Sequence, residues 1–163
     1  MTKVPEKVVF LPQKEYIITT KKQKIMTVLG SCVAVIMISK VSNLTGMCHA
    51  YLPRIPLMMR KSYIIPQDAY QYVDYCIETM FKSFQREDIA PSDVEIKLFG
   101  GARTLIHNGE TIANESIGEE NVRVALLTLH LLGLTVANQD TGGNRGRKII
   151  FSTDTGEVLL KRL

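Results

Sequence analysis

A thiol and an imidazole stand near one another in the first third of this chain. Cys32 closes the stretch "LGSC" and leads into the apolar run "VAVIM". His49 follows in "GMCHAYLP", one strand–turn–strand unit further on. A cysteine attacks as its thiolate, so a catalytic cysteine needs a neighbouring base or cation and some exposure. Imidazole is the commonest such base near neutral pH. With main-chain N–H groups aimed at the developing oxyanion, such a pair opens acyl and amide carbonyls. Gly30 and Ser31 precede the thiol, and glycine lets a substrate approach the main chain closely. N–H groups around Gly30, Ser31 and Cys32 are therefore the candidate oxyanion donors. The same residues also read as a plain turn followed by a packed cysteine, and His49 as a hydrogen-bonded structural histidine.

The other thiols and imidazoles have structural explanations. Cys76 falls on the apolar stripe of a helix. Cys48 neighbours His49, so in a strand the two point to opposite faces, with Cys48 and Ala50 facing the interior and His49 the Cys32 side. His130 belongs to the last turn of a helix, where its charge suits the helix dipole, and His107 to a polar Asn-Gly turn. There is no CxxC pair, and adjacent Cys48 and His49 cannot share a metal, so no metal site is expected.

The elements that position these residues are legible as patterns. "EYIITT", "KIMTVL", "VAVIMISK" and "MCHAYLP" are short, β-branched and bounded by turn residues, as strands are. "KKQK" (Lys21 to Lys24) reads as a charged hairpin tip. Between Pro53 and Pro66 no period is sustained; two adjacent methionines there suggest a loop covering something apolar. Pro66 suits an early helix position, and Ala69, Val73, Cys76, Ile77, Met80 and Phe84 then share one face. "PSD" breaks the chain before a strand, "VEIKLFGG". A second helix opens at Ser116 with Glu119 completing a capping box, a stripe of Val122, Leu126 and Leu129, and Gly133 as its C-terminal residue. "LTVANQD", the loop "TGGNRG", "RKIIFST" and "EVLLKRL" complete the chain, the last two as a hairpin around "DTG". About eight strands and two main helices, joined largely by hairpin-like turns, indicate a single α+β domain over residues 1–163, mostly antiparallel sheet with helices packed on it.

Composition sets the class. The 163 residues are 45% hydrophobic and 22% charged, with a net charge of +4, which is ordinary for a globular domain. The basic clusters, "KKQK" and "RGRK" (Arg145 to Lys148), read as solvated surface. With no tryptophan either, a nucleic-acid-binding function is not expected. No apolar run of about 18 residues is present, so no membrane insertion is expected. The first residues lack a secretory signal, and three cysteines at irregular spacing suggest reduced thiols in a cytoplasmic protein. The sequons at Asn43 and Asn114 are then chance.

Taken in order, "TVLGSCVAV", "GMCHAYLP", "FGGA", "SIGEENV" and "DTGGNRGRKI" resemble the motifs of the CheD chemoreceptor glutamine deamidases, from about Ile17 to Arg162. The resemblance implies a fold similar to a bacterial toxin deamidase domain, with packed β-sheets flanked by helices. It implies hydrolysis of glutamine side-chain amides on methyl-accepting chemotaxis receptors, giving glutamate and ammonia through a thioester, with no cofactor. Cys32 then matches the nucleophile and His49 the general base. The family's third member is a threonine upstream of the GSC turn whose position varies by one residue. Thr27 stands at the nearer spacing and Met26 at the farther. The loop "DTGGNRGR" lacks the pattern of a phosphate cradle. By resemblance it lies near the catalytic pair, with Gly142, Gly143 and Asn144 as contacts and "FGGAR" as a second wall. A CheC-type phosphatase acting on phosphorylated CheY is implied as a partner. The alternative is a deamidase-like binding module that works mainly by activating that phosphatase.

Overall fold

A computed structural model describes residues 6–62, 67–103 and 116–163. Pro66, His107 and Asn114 lie outside the described residues. Among those described, nine strands and three helices form an α+β domain. The strands are β1 (Val8–Phe10), β2 (Glu15–Thr19), β3 (Lys24–Leu29), β4 (Val33–Ser39), β5 (Thr45–Ala50), β6 (Val94–Gly100), β7 (Val136–Thr141), β8 (Arg147–Ser152) and β9 (Val158–Arg162). The helices are α1 (Leu57–Arg60), α2 (Val73–Arg86) and α3 (Ile117–Leu131). The sequence pattern had indicated all but β1 and the four-residue α1. The latter interrupts the stretch read as a loop, where Arg60 bonds Asp74 at 2.7 Å and Glu78 at 2.7 Å. Met58 is 83% exposed, and among the described residues of that stretch the buried one is Ile55.

The strands make two sheets, one of order β1-β3-β8-β9 and one of order β2-β5-β4-β6-β7. Five of the seven strand pairs are antiparallel; β1 with β3 and β6 with β7 are parallel. The smaller sheet packs on one face of the larger, and α2 and α3 pack on the other. β4, at the centre of the larger sheet, is therefore covered on both sides. Val33, Val35 and Met37 face the helices with Cys48, Cys76, Met80 and Phe84. Ala34 and Ile36 face the smaller sheet with Leu29, Cys32, Met47 and Phe151. Burial on both faces is why "VAVIM" is continuously apolar rather than alternating, and each large side chain so buried contributes roughly 1.5–3 kcal/mol.

Three expectations change. "KKQK" is not a hairpin tip: β2 belongs to the larger sheet and β3 to the smaller, so Lys21–Gln23 carry the chain between sheets. In α3, Leu126 is 39% exposed and Val122 only partly buried. Its inner face is instead Gly118, Asn121, Val124, Ala125, Thr128 and Leu129. Small residues occupy it because the helix start lies against the end of β6. A Cβ at Gly118 would stand 2.4 Å from the Ala102 carbonyl oxygen. Finally, Arg147 of "RGRK" is only 1% exposed. The capping box forms as the pattern indicates, with the Glu119 N–H donating to Ser116 Oγ at 3.2 Å, and Gly133 takes φ +74° past the helix end.

Candidate active site

Two segments carry the chain between sheets at the same place. Gly30–Cys32 join β3 to β4, and Leu11–Lys14 join β1 to β2. Between them the two sheets bring three polar side chains together. Along β3, Ile25, Thr27 and Leu29 point inward while Met26 and Val28 point away, by simple alternation. Thr27 is thus fully buried, and Met26 is on the opposite face. His49 pairs across the sheet with Ala34 of β4. It shares that strand's inter-sheet face, and so does Cys32, two residues before Ala34. Cys48 faces the helices, as alternation requires.

Thr27 Oγ1 lies 2.9 Å from His49 Nδ1 and donates its proton to the Leu11 carbonyl at 2.7 Å. The Leu11 oxygen is also 3.2 Å from His49 Nδ1. A hydroxyl has one proton, and here it goes to Leu11. A carbonyl only accepts, so Nδ1 must be the nitrogen that carries the imidazole proton. That leaves Nε2 with a free lone pair. Nε2 is buried and without a hydrogen-bond partner among the described residues, the state expected of a poised base rather than of a satisfied core histidine.

The thiol and imidazole rest uncharged. Burial pushes the Cys32 thiol above its ordinary value of 9.0, against the pull of the Gln13 amide and of the Cys32 and Gly30 N–H groups. Burial holds His49 below its ordinary 6.5, opposed by the Leu11 carbonyl. The sequence pattern places His49 on the Cys32 side, and the hydrogen bond that the sulfur accepts here comes from Gln13 Nε2 at 3.2 Å. Two neutral groups gain little from pairing, which fits a contact made only when charge moves. A stability effect follows. On acidification the unfolded chain takes a proton at this histidine before the folded chain does. Its contribution is fully present above 6.5 and is lost as pH falls below that value toward the depressed folded one. Urea midpoints should therefore drop from about pH 7 to about pH 5, and less steeply in His49→Gln. Equal slopes would mean that His49 titrates as freely folded as unfolded.

The glycine segments frame the turn that bears the thiol. Gly30 and Cys32 accept through their carbonyls from the Ala102 and Gly101 N–H groups at 2.9 and 2.8 Å, and Ser31 accepts from the Asn121 side-chain amide at 2.9 Å. That amide also donates to the Tyr51 carbonyl at 3.0 Å, so one buried residue of α3 ties the thiol-bearing turn to the end of β5. Gly142 and Gly143 take φ of +75° and +71°. They bind the neighbouring wall: Gly142 N–H donates to Gly100 and the Gly143 carbonyl accepts from Arg103, at 2.9 and 2.8 Å. They reach Cys32 through that wall, and Asn144 is exposed on the loop. Arg147 holds the loop from inside, donating to Asp140 at 2.8 Å, the Gly100 carbonyl at 3.0 Å and the Gly142 carbonyl at 2.9 Å.

Sequence reasoning missed Leu11, Gln13, Asn121 and Arg147. Leu11 acts through its carbonyl, to which side-chain type is no guide. For Asn121 one signal was available: it stands in "SIGEENV", one of the stretches that carry the resemblance.

Fold and site together define a two-sheet α+β domain with a thiol, an imidazole and a hydroxyl gathered where the chain passes between its sheets. Among the described residues no group of three or more His, Cys, Asp or Glu is arranged to hold a metal, and no helix is long and apolar enough to cross a membrane. Residues 57–162 match the family model described as CheD chemotactic sensory transduction. The chain is 42% identical over 155 residues to a probable chemoreceptor glutamine deamidase CheD 2 of Geobacter sulfurreducens, covering 95% of this chain and 89% of that protein. A probable chemoreceptor glutamine deamidase CheD of Maridesulfovibrio salexigens is 37% identical, with 95% and 91% covered. One from Thermococcus kodakarensis is 32% identical, with 83% and 80% covered. The chain belongs to the CheD family.

Proposed function

We propose that this protein is a chemoreceptor glutamine deamidase that uses Cys32 as nucleophile, His49 as general base and Thr27 as the group that orients the base. The observation that carries the reading is the buried Nε2 of His49, without a hydrogen-bond partner among the described residues, whose lone pair is fixed by the Thr27–Leu11 arrangement at Nδ1. The relatives' names supply the substrate class.

The chemistry follows from these groups. His49 Nε2 takes the Cys32 proton as the sulfur bonds to the glutamine side-chain carbonyl carbon. The oxyanion so formed is held by main-chain N–H groups of the Gly30–Cys32 turn, each donor worth roughly 3 kcal/mol in the transition state. The carbonyl re-forms as the C–N bond breaks, and the His49 imidazolium gives its proton to departing ammonia. Water, deprotonated by the same nitrogen, then opens the thioester to glutamate. Thr27 and the Leu11 carbonyl keep the Nδ1 proton in place throughout, as the third member of a catalytic triad does. Gly142 and Gly143 act as a wall of the substrate groove.

The test is to incubate the protein with cytoplasmic fragments of methyl-accepting receptors and follow the gain of about 1 Da for each amide replaced by a carboxyl. Thr27→Val keeps the shape and removes the hydroxyl. It should lower kcat by a substantial part of the roughly 10²–10⁴-fold that a positioned base contributes, with KM little changed, while Met26→Leu should have no effect. No mass change with any receptor, alongside intact activation of a CheC-type phosphatase, would favour the binding-module reading instead.

A further inference from the structure

We infer that Gln13 is a further catalytic residue, a side-chain donor that stabilises first the Cys32 thiolate and then the oxyanion of the bound glutamine carbonyl. The inference rests on Cys32 being the nucleophile. Gln13 lies between β1 and β2, where the main chain is fixed on both sides. The Leu11 N–H donates to the Met26 carbonyl of β3 and the Lys14 N–H to the His49 carbonyl of β5, both at 2.9 Å. Leu11 is fully buried, and Lys14 takes φ +66°, a left-handed conformation that turns the chain sharply just after Gln13. The residue is thereby held over the edge of the site, exposed to solvent at the mouth, with Nε2 donating to Cys32 Sγ at 3.2 Å.

The direction of that bond decides its use. A neutral thiol is a weak acceptor and a thiolate a strong one, so a donor already aimed at the sulfur gains as the proton leaves. After attack, the negative charge sits on an oxygen bonded to the carbon that the sulfur has just joined. A donor 3.2 Å from the sulfur reaches that oxygen by a small side-chain rotation, and an exposed side chain is free to make it. The Gly30–Cys32 turn that bears the sulfur is the other segment, and its main-chain N–H groups are the proposed oxyanion donors. The oxyanion is then held between two segments, one supplying main-chain donors and the other a carboxamide. Gln13 is itself a glutamine beside a thiol that attacks glutamines. It presents its nitrogen to the sulfur rather than its carbonyl carbon, the pose of a donor and not of an electrophile.

Gln13→Ala and Gln13→Glu separate these roles, since an exposed loop side chain can be changed with little effect on folding. Two readouts are needed: kcat and KM on a receptor fragment, and the pH dependence of Cys32 alkylation by iodoacetamide, followed at the peptide level without substrate. Gln13→Ala should lower kcat about 10²-fold with KM nearly unchanged, as expected for one oxyanion donor, and move the alkylation curve to higher pH. Gln13→Glu should move it further, because a carboxylate beside the sulfur opposes the thiolate. Unaltered kcat and alkylation in Gln13→Ala would overturn the inference, as would a rise in KM alone. So would a gain of about 1 Da on the Gln13 peptide of the wild-type protein that is lost in Cys32→Ala, which would make Gln13 a substrate. Full activity in Cys32→Ala would instead remove the nucleophile assignment itself. An inactive Cys32→Ala beside an unaffected Gln13→Ala confines the failure to Gln13.

Discussion

Cys32→Ala should fold normally and release no measurable ammonia from receptor fragments, a loss of at least about 10³-fold. The two halves of this expectation have separate physical grounds. Cys32 is 6% exposed, and its sulfur accepts one described hydrogen bond, from an exposed glutamine. Deleting it removes about the apolar area of one methylene, worth roughly 0.8 kcal/mol. The chemistry has no substitute, because a primary amide resists attack by water and the remaining side chains there are donors or bases. Residues that act as a unit are also strongly non-additive. Adding His49→Ala to Cys32→Ala should therefore slow the residual reaction no further, although His49→Ala alone is severe. Cys48→Ala and Cys76→Ala, which open small gaps in the layer between larger sheet and helices, should keep their rates. A Cys32→Ala protein that still converts glutamine, or a Cys48→Ala protein that does not, would move the nucleophile elsewhere.

Gly100→Ala carries the largest expected cost in stability. Gly100 ends β6 at φ +112°, and a Cβ there would lie 2.1 Å from the Cys32 carbonyl oxygen and 3.0 Å from Val33 Cα. The obstruction is backbone on a fully paired central strand, so no side chain can swing aside. The conformation itself costs on the order of 1–3 kcal/mol for a residue with a Cβ. Adding the displacement of β4 from β6 places the total at or above about 4 kcal/mol, the range reserved for a few mechanisms. Whatever fraction still folds should be inactive, since Gly100 also accepts from Arg147 and Gly142, at 3.0 and 2.9 Å, and any retreat shifts the Cys32 peptide. Gly142→Ala is the control. It has the same sign of φ, +75°, with nothing within 4 Å of the added Cβ, so it should cost only the roughly 1–2 kcal/mol of the left-handed conformation. Equal denaturation midpoints for the two variants would show that β6 can yield at Cys32.

Much of this site can be read from residue order. Alternation in "GMCHAYLP" separates Cys48 from His49 and holds in the fold. In "KIMTVL" the strand's alternation puts Ile25, Thr27 and Leu29 on the buried face and Met26 on the other. The spacing of the family motif leaves the third role open, and the proposal that Thr27 fills it rests on that placement. What stays hidden is whatever depends on which sheet a strand joins. "KKQK" looks like a hairpin tip because two β-patterned runs flank it, and nothing local says that they part company. Arg147 looks solvated because three of the four residues in "RGRK" are charged and the fourth is a glycine beside a loop. Its burial depends on Asp140 and on two carbonyls from distant positions. The packing of Leu126 outward and Asn121 inward likewise depends on how near α3 lies to Gly101 and Ala102.

The pairing of β3 with β8 has a consequence for how the protein comes into being on the ribosome. Thr27 is opposite Ile149, so the strand that carries its hydroxyl has its main partner in a segment synthesised long after it. β1, its other neighbour, contributes only three residues, too short a ribbon to be stable by itself. The larger sheet can assemble around β4 and β5 earlier, placing Cys32 and His49 on one face with nothing yet laid over them. Until β8 arrives, Thr27 and the Leu11 carbonyl have no fixed place beside the imidazole. On the function proposed above, a nascent chain therefore carries its thiol without the arrangement that would arm it until β8 is in place.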